Sequence, residues 1–435
     1  MKNPRARAAQ HLAPVLLSQS ALNLDSIDIE DPDRGLIAEL CYGTLRYLPA
    51  LELIAQKILR KKLKEKDVDI LALLLIGLYQ IGYLRVADHA AVSETVQAAK
   101  QLKKPWATGL LNASLRNYLS SSEDFSEQLS QNPVFSSAHP NWLLKSIQRQ
   151  WGEQAEDIFT AGNSRPPMTL RVNLARQSRE DFLAELKEHN IDAQAGELCK
   201  SAVQLSQPRA VHRIPGFAEG KVSVQDEGAQ LAAQILAPKS GHCVLDACAA
   251  PGGKAGHLIE WCEDIALVTL DADKSRLEKI HQNLNRLSYS AEVIAADANQ
   301  VDDWWHGQNF DRILIDAPCS GTGVMRRHPD IKTLRTPEDI SGFREQQLAL
   351  LSSLWSVLAP GGRLLYATCS ILKSENQDVV SKFAQQQADL SILEIQIPHE
   401  TTATNVSIHQ CNPGIQLLPM AQAHDGFYYA LMAKA

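Results

Sequence analysis

Two cysteines have the sequence context expected of chemically reactive groups in this 435-residue chain. Cys319 and Cys369 each follow an apolar segment, near Arg312 to Ile315 and Arg363 to Ala367, that we predict to be a sheet strand. Thiolates are nucleophiles and covalent catalysts, and α/β proteins place reactive groups at the ends of strands. Both thiols are therefore candidate nucleophiles, although a free cysteine is also commonly a small buried hydrophobe.

A turn of small residues follows the first strand predicted in this region, Cys243 to Ala247, and leads into a helix. Small residues let a ligand approach the backbone, and the following helix offers free N–H groups. Asp271 and Asp297 close the next two predicted strands, where acidic side chains grip a ribose or accept from an adenine amino group. Either carboxylate alone is more often a helix cap, but together with the turn they predict a nucleoside cofactor. The turn residues are Cys248, Ala249, Ala250, Pro251, Gly252, Gly253 and Lys254.

The apolar pattern divides the chain into three predicted domains. Helical spacing from Arg5 to about Leu119 indicates an all-helical domain, which a polar segment from Ser120 to Ser137 ends as an exposed linker. A strand at Met168 to Val172 and a helix at Arg179 to His189 indicate a small α+β module. Beyond it, strands alternate with helices, which predicts a doubly wound sheet. We place the three domains at residues 1–135, 136–222 and 223–435.

Three motifs in this order resemble the signatures of the Nol/Nop/Sun family of RNA cytosine-C5 methyltransferases. They are Asp246 to Lys254, Asp316 to Gly323 and Tyr366 to Ser370. The resemblance extends from about Pro140 to the end of the chain. The helical N-terminal part, with Gly109 to Arg116, resembles the NusB-like RNA-binding domain. The family often has Thr-Thr after the lysine of the first motif, whereas this chain has Ala255-Gly256, a departure that affects no expected ligand.

This resemblance implies a fold, a cofactor and a partner. The fold is an all-α NusB-like N-terminal domain, a small α+β module and a Rossmann-like α/β methyltransferase domain. The cofactor is S-adenosylmethionine, bound by the seven turn residues with Asp271, Asp297 and Asp316. The partner is 16S rRNA, free or partly assembled, which is methylated at carbon 5 of a cytosine, with cytosine 967 as the expected target.

Methylation at carbon 5 of cytosine explains why a thiol is needed. That carbon is a poor nucleophile because its electrons belong to the aromatic ring, whereas addition of a thiolate to carbon 6 makes it enamine-like. Chemistry alone allows either Cys319 or Cys369 to attack. The resemblance assigns attack to Cys369 and a role as base during release to Cys319. It also fits Asp316 at the N3 and N4 edge of the base, where charge develops on addition.

Basic residues occur in two short segments that are candidates for phosphate contacts. Arg326-Arg327-His328-Pro329-Asp330 follows the Cys319 motif and either holds phosphates beside the flipped base or is a loop tied by Arg–Asp pairs. Arg60 to Lys66 is either an RNA contact or a solvated helix end. The net charge of −7 argues against indiscriminate nucleic-acid binding. We therefore expect positive charge to act locally.

Other features of the sequence exclude some classes of protein and leave two alternatives open. The basic N-terminus lacks a convincing signal peptide, and the apolar segment from Ile70 to Leu78 is too short for a bilayer and predicts a buried core helix. Eight scattered cysteines suggest neither disulfides nor a metal site, which fits a metal-free protein in a reducing cytoplasm. We also expect a monomer. The alternatives are a transfer-RNA cytosine-C5 methyltransferase on the same scaffold and a non-catalytic protein that binds RNA or an assembly factor.

Overall fold

A computed structural model describes residues 3–28, 30–397 and 407–435. The chain forms two compact units. The first comprises Met1–Ser164 and Met325–Thr336, and the second comprises Arg165–Val324 and Pro337–Ala435. A short segment that follows the Cys319 motif therefore belongs to the helical first unit. The predicted boundaries at residues 135 and 222 stay predictions about domains, since the first compact unit continues to Ser164.

The first unit is helical, as predicted. Its helices are α1 (Pro4–Leu16), α2 (Arg34–Arg46), α3 (Leu48–Ile58), α4 (Val68–Tyr83), α5 (Asp88–Gln101), α6 (Ala107–Ser120), α7 (Ser122–Leu129), α8 (Pro133–Ser137), α9 (Asn141–Trp151) and α10 (Ala155–Asn163), with a further single turn of helix at Ile331–Leu334. Helix α1 begins at a proline, and the side chain of Asn3 caps it by accepting from Arg5 N, 2.9 Å away.

Helix α4 is the centre of the helical core. It is apolar around most of its circumference, and residues Ile70 to Leu78 are buried on nearly every face except at Leu71. A helix without a polar face is stable only when neighbours cover it, and α1, α2, α3, α5 and α6 pack around it. The predicted buried core helix is confirmed.

The polar segment that we expected to be an exposed linker is instead largely helical. It contains α7 and α8, and the side chain of Asn132 caps α8 by accepting from Val134 N at 3.0 Å. Leu129 is buried in the helical core, and Phe125 and Phe135 pack against it. The linker prediction was wrong because three apolar side chains, spaced among many polar ones, bury enough surface to fix the segment.

The second unit begins with a small module of four antiparallel strands in the order β2-β3-β1-β4. The predicted strand and helix are present as β1 and α11, which ends one residue before His189. Phe182 and Leu186 of α11 pack against the sheet residues Leu170 and Val203. The elements are β1 (Met168–Val172), α11 (Arg179–Glu188), β2 (Ala193–Ala195), β3 (Ala202–Leu205) and β4 (Val222–Val224).

The rest of the second unit is built on a nine-stranded mixed sheet. Strands β7-β6-β5-β8-β9 are parallel, and the four strands near the C-terminus add antiparallel pairs beyond β9. The strands are β5 (Cys243–Ala247), β6 (Ala266–Asp271), β7 (Glu292–Ala295), β8 (Phe310–Asp316), β9 (Leu358–Thr368), β10 (Leu390–Leu393), β11 (Ile408–Gln410), β12 (Ile415–Leu417) and β13 (Phe427–Lys434). The five predicted strands are the parallel ones.

Helices cover both faces of this sheet. Val244 packs into the core on one face and its neighbour Leu245 into the core on the other, as alternating side chains of a strand require. This confirms the doubly wound α/β fold for the parallel part. The helices are α12 (Glu227–Leu236), α13 (Gly253–Trp261), α14 (Lys274–Leu287), α15 (Val301–Trp304), α16 (Pro337–Ser356) and α17 (Gln377–Ala384).

Candidate active site

The small-residue turn between β5 and α13 needs a left-handed backbone. Gly252 has a φ of +92°, and a Cβ there would lie 3.2 Å from the Cα of Ile280 in α14. Cys248 also has a positive φ, +61°, which is uncommon for a residue with a side chain. The turn thus passes close under α14 and directs the first N–H groups of α13 outward.

Asp271, at the end of β6, holds this turn in place. Its carboxylate accepts hydrogen bonds from Ala250 N and Asp273 N, both at 3.0 Å, and it is almost completely buried. Arg276 of α14 reaches back to donate to the Ala250 carbonyl at 2.6 Å. One of the predicted cofactor residues therefore also fixes the backbone of the others.

A cavity of about 150 Å³ opens at these strand ends. Cys248, Asp271 and Asp297 line it together, as the sequence predicts for a nucleoside site. Asp297 is exposed, and its carboxylate accepts from the backbone and the side-chain amide of Asn299, each at 3.0 Å. Pro318, next to Cys319, lines the same cavity, so the two predicted sites are neighbours.

Asp316 does not line this cavity but pairs with Lys254. Lys254 Nζ donates to Asp316 Oδ2 at 2.6 Å, and the aspartate side chain keeps about a third of its surface exposed, at 32%. Burial by itself lowers the pKa of Lys254, but the charge of Asp316 and its hydrogen bond outweigh that effect, so the pKa is raised. The pair joins the end of β8 to the start of α13.

A further carboxylate beside the small-residue turn was not among the site residues predicted from the sequence. Asp246, in β5, is 0% exposed, and neither of its oxygens has a hydrogen-bond partner among the described residues. Burial, followed by the charge of nearby Asp316, raises its pKa to about 8. Its signal in the sequence was an acidic residue inside an apolar strand, two positions before Cys248. Buried, unsatisfied carboxylates with a shifted pKa are typical of functional sites.

The two candidate thiols are brought together by parallel strands. Strands β8 and β9 pair in register up to Asp316 and Ala367, and the loops that follow place Cys319 Sγ 3.5 Å from Cys369 Sγ. Both side chains are partly exposed. The hydrogen bond to Cys369, then burial, raises the pKa of Cys319 well above its ordinary value. Either thiol of this pair can be the donor, and the two sulfur atoms lie within hydrogen-bond distance of each other.

The basic segment after Cys319 is less accessible than expected. Arg326 is only 1% exposed, and its carbonyl accepts from Arg46 in the helical unit. Asp330 accepts from Leu22 N at 3.1 Å, and the buried ammonium of Lys332 donates to two carbonyls and to Asn163. Only His328 in this segment is exposed. Phosphate binding here thus stays a prediction, while the segment itself is anchored in the helical unit.

The other basic run, Arg60 to Lys66, is exposed except at Leu63, which is partly buried. It follows α3, and its last two residues lie in a short helical turn, Glu65–Asp67, that leads into α4. All eight cysteines are free thiols. Within residues 3–28, 30–397 and 407–435, we find no group of three potential metal ligands. Every helix in those ranges is too short or too polar to cross a membrane.

Comparison with known proteins agrees with this arrangement. Models of known families match as "16S rRNA methyltransferase RsmB/F" at residues 233–433, a ferredoxin-like domain of the same family at 139–212, and the NusB family at 2–120. Ribosomal RNA small subunit methyltransferase B of Pseudomonas syringae pv. tomato is 46% identical over 99% of this chain and 97% of its own length.

Solved structures share the fold. The crystal structure of PH0851 has a TM-score of 0.80 and 21% identity, with 99% of both chains covered. A methyltransferase homologue from Pyrococcus horikoshii has a TM-score of 0.59 and 28% identity, covering 69% of this chain and 97% of its own.

The site combines a Rossmann-like sheet, a glycine turn, acidic strand ends and an adjoining pair of thiols. These features are typical of methyltransferases that use a nucleoside cofactor. With the near full-length identity to methyltransferase B relatives, the assignment becomes specific. The chain belongs to the RsmB/F family of 16S rRNA methyltransferases. The predicted family, fold class and enzymatic nature are confirmed.

Proposed function

We propose that this enzyme uses S-adenosylmethionine to methylate carbon 5 of a cytosine in 16S rRNA, through a covalent bond between Cys369 and carbon 6. The observation that carries the proposal is the pair of thiols 3.5 Å apart, next to the cavity at the strand ends. A methyltransferase acting on oxygen or on an exocyclic amine needs no such pair. Family resemblance implies cytosine 967 as the target.

The residues around the turn fit S-adenosylmethionine. Asp297 has carboxylate capacity left for an adenine amino group, and the buried oxygens of Asp246 are unsatisfied beside the turn. Asp271 lines the cavity where a ribose would lie. When bound, the cofactor supplies a methyl group on a positively charged sulfur, and the surrounding carboxylates favour that positive charge.

Cys369 is the nucleophile in this proposal, as the family resemblance implies, and Cys319 lies 3.5 Å away, close enough to act on the adduct afterwards. Attack by the Cys369 sulfur forms a bond to carbon 6 and leaves carbon 5 electron-rich. After the methyl group is transferred, the proton on carbon 5 must leave so that the bond to Cys369 breaks. The raised pKa of Cys319 makes its thiolate, once formed, a strong base for this proton.

Asp316 supports the addition step from the base's other edge. Its carboxylate is partly exposed beside the cysteine loops and is held by Lys254. A carboxylate here can hydrogen-bond to the N4 amino group and stabilise the charge that develops at N3. The Lys254 contact keeps Asp316 oriented in a single direction, as a functional carboxylate requires.

We extend the proposal to the domains. Residues 1–135 and the ferredoxin-like module bind RNA, and residues 223–435 perform catalysis. The substrate is free or partly assembled small-subunit RNA, the active species is a metal-free monomer, and the reaction takes place in the cytoplasm. The names of the relatives support ribosomal rather than transfer RNA.

The direct test is bisulfite sequencing of total RNA from cells with and without the gene, since bisulfite distinguishes 5-methylcytosine from cytosine. We expect one small-subunit cytosine to lose protection in the deletion strain. Restoration by wild-type protein and not by a Cys369→Ala variant is the matched control. Loss of protection in a transfer RNA instead would contradict the proposed substrate.

Cofactor binding is tested separately by calorimetry with S-adenosylmethionine in the presence of a chelator. We expect undiminished binding, because carboxylates and backbone groups hold the ligand. Asp297→Ala should weaken affinity about tenfold, the effect of one lost charge-assisted hydrogen bond. Asp302→Asn, on an exposed carboxylate of α15, is the control and should leave affinity unchanged. Binding that disappears on chelation would contradict the metal-free site.

A further inference from the structure

A single buried carboxylate touches both cysteine loops. Glu375 is 0% exposed and lies six residues after Cys369, in the helical turn Lys373–Glu375. Within the part of the chain that the structure describes, Glu375 forms no hydrogen bond to either thiol. Glutamate is almost never fully buried unless its oxygens are used. The complete burial of Glu375 next to both loops therefore indicates that its carboxylate oxygens have partners there.

The hydrogen bonds of Glu375 end on the residues that immediately follow the two cysteines. Its Oε1 accepts from Ser320 N at 2.8 Å, and its Oε2 accepts from Ser320 Oγ at 2.6 Å and from Ser370 Oγ at 2.7 Å. Gln347 Nε2 donates to Oε1 at 3.4 Å. One side chain therefore bonds to both loops, one residue from each sulfur.

A second set of contacts closes this network. The hydroxyls of Ser320 and Ser370 are 3.2 Å apart, and Thr322 Oγ1 lies 3.2 Å from the first and 3.1 Å from the second. These hydroxyls can rotate to serve as donor or acceptor. The loops are also joined directly, because Gly323 N donates to the Cys369 carbonyl at 2.8 Å and Ile371 N donates to Thr322 Oγ1 at 3.1 Å. Glu375 differs from these contacts because one carboxylate, from a third segment, bonds to the residue after each cysteine. We therefore expect the length of this side chain to influence the spacing of the two sulfur atoms.

We propose that Glu375 is a positioning residue that fixes the distance between Cys319 and Cys369 by its reach across the two loops. The inference rests on the proposed function in one respect, that the two thiols act in one reaction. Glu375 itself does not touch the substrate, the cofactor or a reacting atom. Its role is to hold the sulfur atoms in the arrangement that attack and release both require, where misplacement by about 1 Å lowers rates about 100-fold.

Two variants of Glu375 distinguish the effect of side-chain length from the effect of charge. Glu375→Asp keeps the charge but is one methylene shorter, so it cannot bond to both loops at once. Glu375→Gln keeps the length, and the serine hydroxyls can turn to accept from its amide. Asp378→Asn, an exposed carboxylate three residues further on, is the matched control. A thermal melt of each full-length variant verifies that it is folded.

The first readout is bridging of the two thiols by dibromobimane, located by peptide mass, without RNA or cofactor. The second is the steady-state methylation of 16S rRNA. We expect Glu375→Asp to lose bridging and about 100-fold in kcat with little change in KM for S-adenosylmethionine, while Glu375→Gln and Asp378→Asn stay near wild type. The glutamine variant has the side-chain length of glutamate, so it should retain the bridging and the activity that the shorter aspartate variant loses.

Any other pattern contradicts the proposal. If Glu375→Asp bridges as well as wild type, reach is not what sets the distance. If Glu375→Gln loses bridging, alone or together with the aspartate variant, charge rather than reach is required. Failure of the proposed function is a different result, because it would appear as methylation that survives Cys369→Ala and would leave the bridging measurements unaffected.

Discussion

Each compact unit contains a buried ionisable side chain, and the two side chains differ in whether their polar atoms have hydrogen-bond partners. In the helical unit the ammonium of Lys332 is 3% exposed and donates to the carbonyls of Arg46 and Ala138 and to the Asn163 side chain. In the sheet unit the carboxylate of Asp246 is 0% exposed and has no donor among the described residues. Buried polar groups are nearly always satisfied, so an unsatisfied carboxylate beside the small-residue turn is a candidate for contact with a ligand. Lys332 therefore has a structural role. Asp246 has no hydrogen-bond donor in the described protein, and a bound ligand can provide one.

The comparison of Asp246 with Lys332 points to the sheet unit as the place of catalysis. The largest effect that we expect is on methylation, and it tests this assignment. Cys369→Ala prevents the bond to carbon 6, so neither adduct nor methylated product should form. Cys319→Ala allows attack and methylation but blocks release, so methylated RNA should stay attached and migrate with the protein on a denaturing gel.

Cys262→Ala, far along the chain from both motifs, is the control and should methylate as wild type does. A trapped adduct with Cys369→Ala and none with Cys319→Ala would mean that the two roles are exchanged.

Replacing Asp246 by Asn should stabilise the ligand-free protein while weakening cofactor binding. Its pKa is raised from 3.8 to about 8, so the folded protein binds a proton that the unfolded chain releases, and stability falls as pH rises through that interval. The gain from Asp246→Asn should therefore grow between about pH 4 and 8, to a few kcal/mol. Urea unfolding at several pH values measures it. A variant that is less stable at pH 8 would show that Asp246 is satisfied in the protein.

Lys332→Met should change the free energy of unfolding in the opposite direction to Asp246→Asn. It leaves three buried oxygens without a donor and should destabilise the protein by about 1–3 kcal/mol. Burial lowers the pKa of Lys332 well below 10.5, so the folded protein binds fewer protons than the unfolded chain and wild-type stability rises with pH. The deficit of Lys332→Met should thus grow from pH 7 towards pH 10, in the same urea assay. A stabilised variant would remove the contrast between the two units.

The smallest effect concerns RNA affinity. The exposed basic loop between α3 and α4 should contact phosphates, so reversing Lys61, Lys62 and Lys64 to Glu should weaken rRNA binding about tenfold and reduce its salt dependence. Affinity for S-adenosylmethionine should not change. Filter binding at two salt concentrations gives both quantities, with Lys57→Glu on the exposed face of α3 as the control. Unchanged rRNA affinity in the triple variant would confine RNA binding to other surfaces.

Much of this molecule could be predicted from local sequence patterns. The parallel strands β5 to β9 are apolar runs between polar turns, and their ends carry Asp271, Asp297 and Cys319 in predictable places. Sheet topology then brings these ends to one edge, since parallel strands share a direction. The motifs also carried the family assignment. These features depend on short stretches of chain, so composition and spacing suffice to recognise them.

Other features depended on partners distant in sequence. The polar segment at α7 and α8 is helical because Leu129 packs into the helical core. Strands β10, β11 and β12 have only three or four residues each, and β13 pairs with β9, which is distant in sequence. Whether a carboxylate is satisfied is likewise invisible in the sequence. Asp246 and Glu375 are both acidic residues beside a motif, yet the first has no donor and the second has four.

The sequence by itself determined which chemistry is available, namely two thiols, a glycine turn and acidic strand ends, because those residue types and spacings are local properties. Only the tertiary structure decided how the groups are used. It sets Cys319 and Cys369 3.5 Å apart, pairs Asp316 with Lys254, and buries part of the Arg326 segment in the helical unit. Distance and burial arise from packing between segments far apart in the chain, and both quantities control pKa and reactivity.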